Sequence, residues 1–213
     1  MKIYIVDEDI RFNFLKEWLS KKYIITDKID EANCVILGFK DDVIPKKLNR
    51  TVKVISYKDI LHENCHVLSH SEHFLRKNAY LTALGCISKL NISQKNVVIY
   101  GNGRIGTYLN EMIENSVVLA RHPKNKEKEI HSLDYTKADI IINTIPASIP
   151  IDIHLLKNNV KIIDLASSPY GFNHQDLKDK GIDIELWSAL PAKTFPKESA
   201  WVIYEEVMSC LED

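Results

Sequence analysis

The sequence is poor in glycine, with seven in 213 residues, and has only four cysteines, Cys34, Cys65, Cys86 and Cys210, none in a Cys-x-x-Cys pair. Thiols this scattered give no sign of a disulfide framework, and reduced cysteines in a cytoplasm are the expectation. No apolar run approaches the roughly 20 residues that a bilayer-spanning helix needs. The N-terminus meets acid at Asp7, before the long apolar stretch of a secretory signal could form. An excess of one charge is missing too: 28 Lys and Arg stand against 29 Asp and Glu. That balance gives no electrostatic case for nucleic acid or an anionic membrane surface. No repeat or low-complexity stretch is visible.

What is present is an ordinary globular composition, 45% apolar and 27% charged, enough to build a core. Short apolar runs at 2–6, 23–26, 34–37, 52–56 and 65–68 alternate with helical spacing at 10–20. This predicts a small parallel α/β layer at the N-terminal end. A helix over 72–90 connects it to a second series: strands at 97–100, 117–120, 139–143, 160–164 and 182–186, and helices at 105–113, 151–158, 174–180 and 197–211. The expected fold class is α/β, a doubly wound parallel-sheet Rossmann domain plus a smaller N-terminal α/β domain. Their boundaries are placed at 1–75 and 76–213, with the C-terminal helix in the second.

Three of the seven glycines fall in Gly101-Asn102-Gly103-Arg104-Ile105-Gly106, between a predicted strand and a predicted helix. In that context the first glycine serves the tight turn, the second the approach of a pyrophosphate, and the third the packing of helix on sheet. The helix N-terminus adds free N–H groups and positive dipole. The alternative is a glycine turn without a ligand. An NAD site usually has an acid about 20 residues further on, bonding the ribose 2′-hydroxyl. Here that place reads Ala120-Arg121-His122-Pro123-Lys124. A guanidinium suits a 2′-phosphate, so NADP is the expected cofactor, with Arg121, His122 and Lys124 at its phosphate; otherwise Arg121 is simply solvated. Asn143-Thr144-Ile145-Pro146 and Asp164-Leu165-Ala166-Ser167 sit at carboxyl ends of predicted strands, the edge where ligands bind in such sheets. Asn143, Thr144, Ile145, Pro146, Asp164, Ala166 and Ser167 are therefore candidate cofactor contacts, although Asp164 could equally cap the following turn.

These blocks, with Lys180-Gly181-Ile182 and Leu190-Pro191-x-Lys193-x-x-Pro196-Lys197, resemble the dipicolinate synthase A family from about Asn78 to the C-terminus. The resemblance implies a two-domain fold like that of the D-2-hydroxyacid dehydrogenases, with substrate in the interdomain cleft. It implies oxidation of a dihydrodipicolinate-type ring to pyridine-2,6-dicarboxylate in spore-forming bacteria, NADP accepting the hydride, and a second, flavoprotein-like subunit. Association of the chain with itself is a further expectation. The chain departs from the family at Thr82-Ala83-Leu84-Gly85, at Ser188-Ala189-Leu190-Pro191-Ala192, at Tyr170-Gly171 and at Trp201, and its N-terminal domain is shorter.

A small dicarboxylate substrate needs cations and a positioned ring face. Lys193, Arg76 and Lys197 are candidate carboxylate binders; Arg76, Asn78, Thr82, Leu190 and Pro191 are candidate substrate contacts. Lys193, His70 and His73 are the candidate catalytic residues, a histidine acting as proton acceptor. His62, Cys65, His66, His70 and His73 crowd into twelve residues, and on one helix His62, His66 and His70 would share a face able to hold zinc. Residues 65–68 read as strand, however, which breaks that face, and no metal is expected. Two other functions stay open: a non-catalytic dinucleotide-binding or regulatory protein, and a dehydrogenase or reductase for another imino or keto acid.

Overall fold

The computed structural model describes residues 1–6, 9–40, 48–124 and 126–212. The chain forms two compact units, residues 1–81 with 191–213, and residues 82–190.

In the first unit, strands β1 (Lys2–Ile5), β2 (Ile24–Thr26), β3 (Cys34–Ile36), β4 (Lys53–Ser56) and β5 (Cys65–Val67) form a wholly parallel sheet in the order β2-β1-β3-β4-β5. Helix α1 (Ile10–Leu19) starts at Asp9, whose carboxylate accepts the Arg11 N–H, satisfying one of the donors that a helix start leaves free. Its Phe12, Leu15 and Leu19 are buried with Ile3, Ile36 and Ile55 from the sheet. Helix α2 (Glu72–Ser88) leads from this unit into the next.

The second unit holds β6 (Val97–Tyr100), α3 (Arg104–Met112), β7 (Val117–Ala120), β8 (Lys128–Glu129), β9 (Ile140–Asn143), β10 (Lys161–Asp164), α4 (His174–Asp179) and β11 (Asp183–Leu186). Its sheet is parallel throughout, in the order β11-β10-β9-β6-β7-β8. The central strands read as unbroken apolar runs because both faces are covered. Val98, Tyr100, Ile141 and Ile162 face one core, and Val97, Ile99, Ile140, Ile142 and Ile163 the other, with Leu109 of α3.

The last elements are α5 (Leu190–Thr194) and α6 (Pro196–Glu212). Helix α6 packs against α1, burying Val202, Ile203, Val207 and Met208 in the first core. This differs from the expected division at 75/76: an apolar helical face says that a helix docks, not on which sheet. The helix expected over 151–158 is a short 3-10 turn, Ile153–Leu155, capped by the Asp152 side chain. None of the four cysteines is in a disulfide, and burial pushes the Cys34 and Cys86 thiols up to about 12. Among the described residues, no helix is long and apolar enough to cross a membrane.

Candidate functional site

The strand order of the second unit reverses between β6 and β9, and in open parallel sheets the ligand crevice lies at such a reversal, outside the carboxyl ends. Tyr100 is paired with Asn143, and Asn143 with Asp164, so three strands end level and release their loops together.

The three glycines of the turn answer to different causes. Gly101 has φ +105°, a conformation L side chains rarely adopt, and a Cβ there would lie 2.4 Å from Thr144 Oγ1. A Cβ on Gly106 would lie 2.0 Å from the Gly101 carbonyl oxygen, so α3 could not close on the turn. The fold requires both. Gly103 has φ −71° and ψ −175°, open to any residue, and a Cβ there would meet none of the described protein atoms within 4 Å. None of the described residues requires glycine at 103. Its missing side chain clears space at the start of α3, where no described side chain caps the helix and the first amides of a helix lack intrahelical partners. An anionic diphosphate fits that opening in charge and in room.

The neighbouring loops are tied to this turn. Asn102 Nδ2 donates to the His122 carbonyl at 3.1 Å, and Thr144 Oγ1 donates to the Tyr100 carbonyl at 2.8 Å. Arg121 is exposed, its Nη2 donating to the Ser148 carbonyl at 3.3 Å. With Glu129, His131, Ile149 and Pro150 it lines a groove of about 440 Å³. His122 and Lys124 are exposed beside it, and the Lys124 N–H is bonded to the Glu127 carboxylate. Arg104, Ile105, Pro146 and Ser167 are exposed or half-buried. The carboxyl edge of the second sheet thus gathers most of the expected cofactor residues.

Asn143 and Asp164 are exceptions to direct contact. Both are 0% exposed. Asn143 Nδ2 donates to the Ile145 carbonyl and to Asp164 Oδ1, and its Oδ1 accepts the Ile145 N–H. Asp164 also accepts from the Ala166 and Gly171 N–H groups. Of the two alternatives for Asp164 the geometry carries the cap: these side chains hold the loops and face away from solvent. Ala166 is buried with them.

His70, His73, Arg76, Asn78, Pro191 and Lys193 belong to the first unit, and Thr82 and Leu190 to the second. His70 lies exposed beside Asp59, 3.2 Å away. Arg76 pairs with Glu72 one turn back on α2. Lys193 is exposed on α5, Asn78 half-buried on α2, and Pro191 and Thr82 are buried. Leu190 is 1% exposed, packed in the core with Ala83, Ile99 and Ile163, which removes it as a substrate contact. His73 Nδ1 lies 3.0 Å from Glu206 Oε1, and its Nε2 3.7 Å from Glu205 Oε2. Glu206, buried on α6, also accepts from Ser71 Oγ at 2.6 Å and lies 3.4 Å from His66 Nε2. Burial would raise this carboxyl, but hydrogen bonds from Ser71, His73 and His66 outweigh it and hold the pKa below the ordinary value. His66 stands in β5 and His70 in the following turn, so no helical histidine face forms. Among the described residues no group of three or more His, Cys, Asp or Glu is placed to hold a metal.

Sequence reasoning missed Glu206, 133 residues from His73, and His174, whose Nε2 sits 3.0 Å from Asp164 Oδ2. No local pattern marks either one.

No family model matches the chain, and no curated protein sequence matches it. Solved structures match in fold. Dipicolinate synthase A of Bacillus halodurans is 18% identical, with TM-score 0.82 over 100% of this chain and 98% of that one. Dipicolinate synthase A of Bacillus subtilis is 17% identical, with TM-score 0.83 over 100% and 96%. A D-isomer specific 2-hydroxyacid dehydrogenase from Lactobacillus delbrueckii ssp. bulgaricus, in its NAD complexed form, is 14% identical, with TM-score 0.57 over 100% and 97%. The chain therefore has the two-unit, doubly parallel fold of these proteins.

Proposed function

We propose that the protein is an NADP-dependent oxidoreductase acting on a small dicarboxylate, of the kind that converts a dihydrodipicolinate-type ring to dipicolinate. The observation that carries the cofactor is Gly103: a glycine that the fold does not need, opening onto an uncapped helix start at the reversal of a Rossmann sheet. The likeness in fold to two dipicolinate synthase A structures favours that substrate over others. The dinucleotide, when bound, supplies a hydride acceptor.

The chain's own residues have separable tasks. Gly103 and the amides that open α3 receive the diphosphate. Arg121, exposed and with Nη2 on the Ser148 carbonyl, takes the 2′-phosphate, with His122 and Lys124 beside it. Thr144, Ile145, Pro146 and Ser167 border the other half of the crevice. Oxidation of the dihydro ring releases two electrons with one hydrogen as hydride, and one proton. His73 is the residue assigned to accept that proton, its ring oriented by carboxylates with Nδ1 3.0 Å from Glu206 Oε1 and Nε2 3.7 Å from Glu205 Oε2. Lys193 and Arg76 are the cations offered to the substrate carboxylates.

Partners remain part of the proposal: a flavoprotein-like second subunit, association with a second copy, and a cytoplasmic setting in which the thiols stay reduced. The test is a fluorescence titration with NADPH and NADH, repeated with Arg121→Ala. Tighter NADPH binding that collapses toward the NADH value in the variant is expected. Equal, weak binding of both dinucleotides rules the NADP assignment out. Turnover of dihydrodipicolinate generated in place, against a panel of imino and keto acids, then decides the substrate; NADPH binding with no turnover points to a regulatory protein.

A further inference from the structure

One buried carboxylate ties together the ends of β9 and β10. Asp164, 0% exposed, accepts hydrogen bonds at both oxygens: at Oδ1 from Asn143 Nδ2 (2.9 Å) and the Ala166 N–H (3.0 Å), at Oδ2 from the Gly171 N–H (3.3 Å), with His174 Nε2 at 3.0 Å. Asn143 relays the constraint by bracketing the N–H and carbonyl of Ile145. Gly171 is locked by shape, since a Cβ there would lie 2.2 Å from Asn143 Nδ2. Next to it Tyr170 is held at φ +67°, and its ring lies 5.6 Å from that of His174. Two loops, 144–146 and 165–171, are thereby fixed by one network.

His174 stands apart within that network. The other donors are backbone or amide groups, neutral at every pH, whereas an imidazole can carry charge. Its side chain is 23% exposed, while Asp164 is sealed off. A carboxylate removed from water needs compensation by donors or by opposite charge, and His174 is the partner able to give both.

We propose that His174 is a positioning residue for the nicotinamide half of the dinucleotide site, acting through Asp164 and Asn143 on the two loops. The inference rests on the dinucleotide assignment. In this strand order each half of the sheet serves one nucleotide. The glycine turn and Arg121 belong to the β6–β8 half, and the groove beside Arg121 is lined by Glu129 and His131 on that side and by Ser148, Ile149 and Pro150, beyond the 144–146 loop, on the other. That leaves the β9–β11 half, whose strand-end loops the His174 network fixes, for the nicotinamide nucleotide. Loss of His174 therefore weakens one half of the ligand and spares the other.

The experiment compares NADPH with adenosine 2′,5′-bisphosphate, which carries only the adenosine half. In His174→Ala, NADPH binds about fivefold more weakly and the bisphosphate stays within about twofold, the size expected for losing a charge-assisted donor at one remove. His174→Gln, which keeps an N–H for Asp164, recovers most of the loss. In the unsubstituted protein, the Ala166 and Gly171 amides exchange hydrogen more slowly with NADPH bound than with the bisphosphate bound, a readout that does not depend on any variant folding. Equal weakening of both ligands, unchanged NADPH binding in a folded His174→Ala, or no difference in amide exchange overturns the inference alone. Failure of the unsubstituted protein to bind either ligand overturns the dinucleotide assignment, and this inference with it.

Discussion

The two sheets share a plan and differ at their carboxyl edges. Both are wholly parallel, and each reverses its strand order once, at β1/β3 in the first and at β6/β9 in the second. Beyond the reversal in the first unit, among the described residues, the chain sets charged and aromatic side chains against one another. Arg11, 7% exposed, is held by both oxygens of Asp9, and its guanidinium lies 4.1 Å from the centre of the Phe39 ring. Phe39 packs in turn against Phe12, Tyr57 and Phe74. In the second unit the corresponding place is left open by a residue without a side chain, Gly103. A strand reversal therefore creates an opportunity for a ligand, and side chains decide whether it is kept or closed.

The glycines that the fold requires are the most sensitive positions of the second unit. Gly106→Ala places a methyl 2.0 Å from a backbone oxygen, which cannot be relieved by turning a side chain. A loss of roughly 3 kcal/mol or more, or failure to fold, is expected in thermal or urea unfolding. Near-parent stability would show that α3 does not close on the turn as described.

A smaller effect sharpens the contrast from the first unit, where a buried charge is satisfied from within the chain. Glu206 has a depressed pKa in the fold, so its contribution is fully present above the unfolded carboxyl value and is lost as pH falls through the folded one. Glu206→Gln should cost about 1–3 kcal/mol near neutral pH. The difference should shrink in acid as the parent carboxyl protonates. A cost independent of pH would contradict the account of Ser71, His66 and His73 as its donors.

The smallest effect concerns Tyr100, at the end of β6. It is fully buried, its hydroxyl has no hydrogen-bond partner among the described residues, and burial raises the phenol above its ordinary range. Tyr100→Phe removes an unsatisfied polar atom and should be neutral or stabilising by up to about 1 kcal/mol. A loss of stability would mean that the hydroxyl has a partner, such as a bound water.

Much of this was legible in the sequence, for local reasons. The strands at 97–100, 117–120 and 139–143 announce themselves as apolar runs between turn residues, and the glycine spacing carries its own mechanism. Elements of two and five residues, β8 and α5, are too short to leave a period. The docking of α6 on α1 and the bonds of Glu206 to Ser71 and His73 depend on residues more than 130 positions apart, which no window along the chain can relate. Asn143 and Asp164 were found as a motif, but whether they touch a ligand or hold a loop is settled only by which way they face.

On the proposed function, glycine at 103 answers to a ligand and not to the fold. This is tested most directly by Gly103→Val, read by thermal unfolding and by NADPH titration on the same samples. Stability within about 0.5 kcal/mol of the parent, with NADPH binding weakened on the order of a hundredfold, is the predicted result. Unchanged NADPH binding, or a loss of stability as large as that of Gly106→Ala, would contradict it.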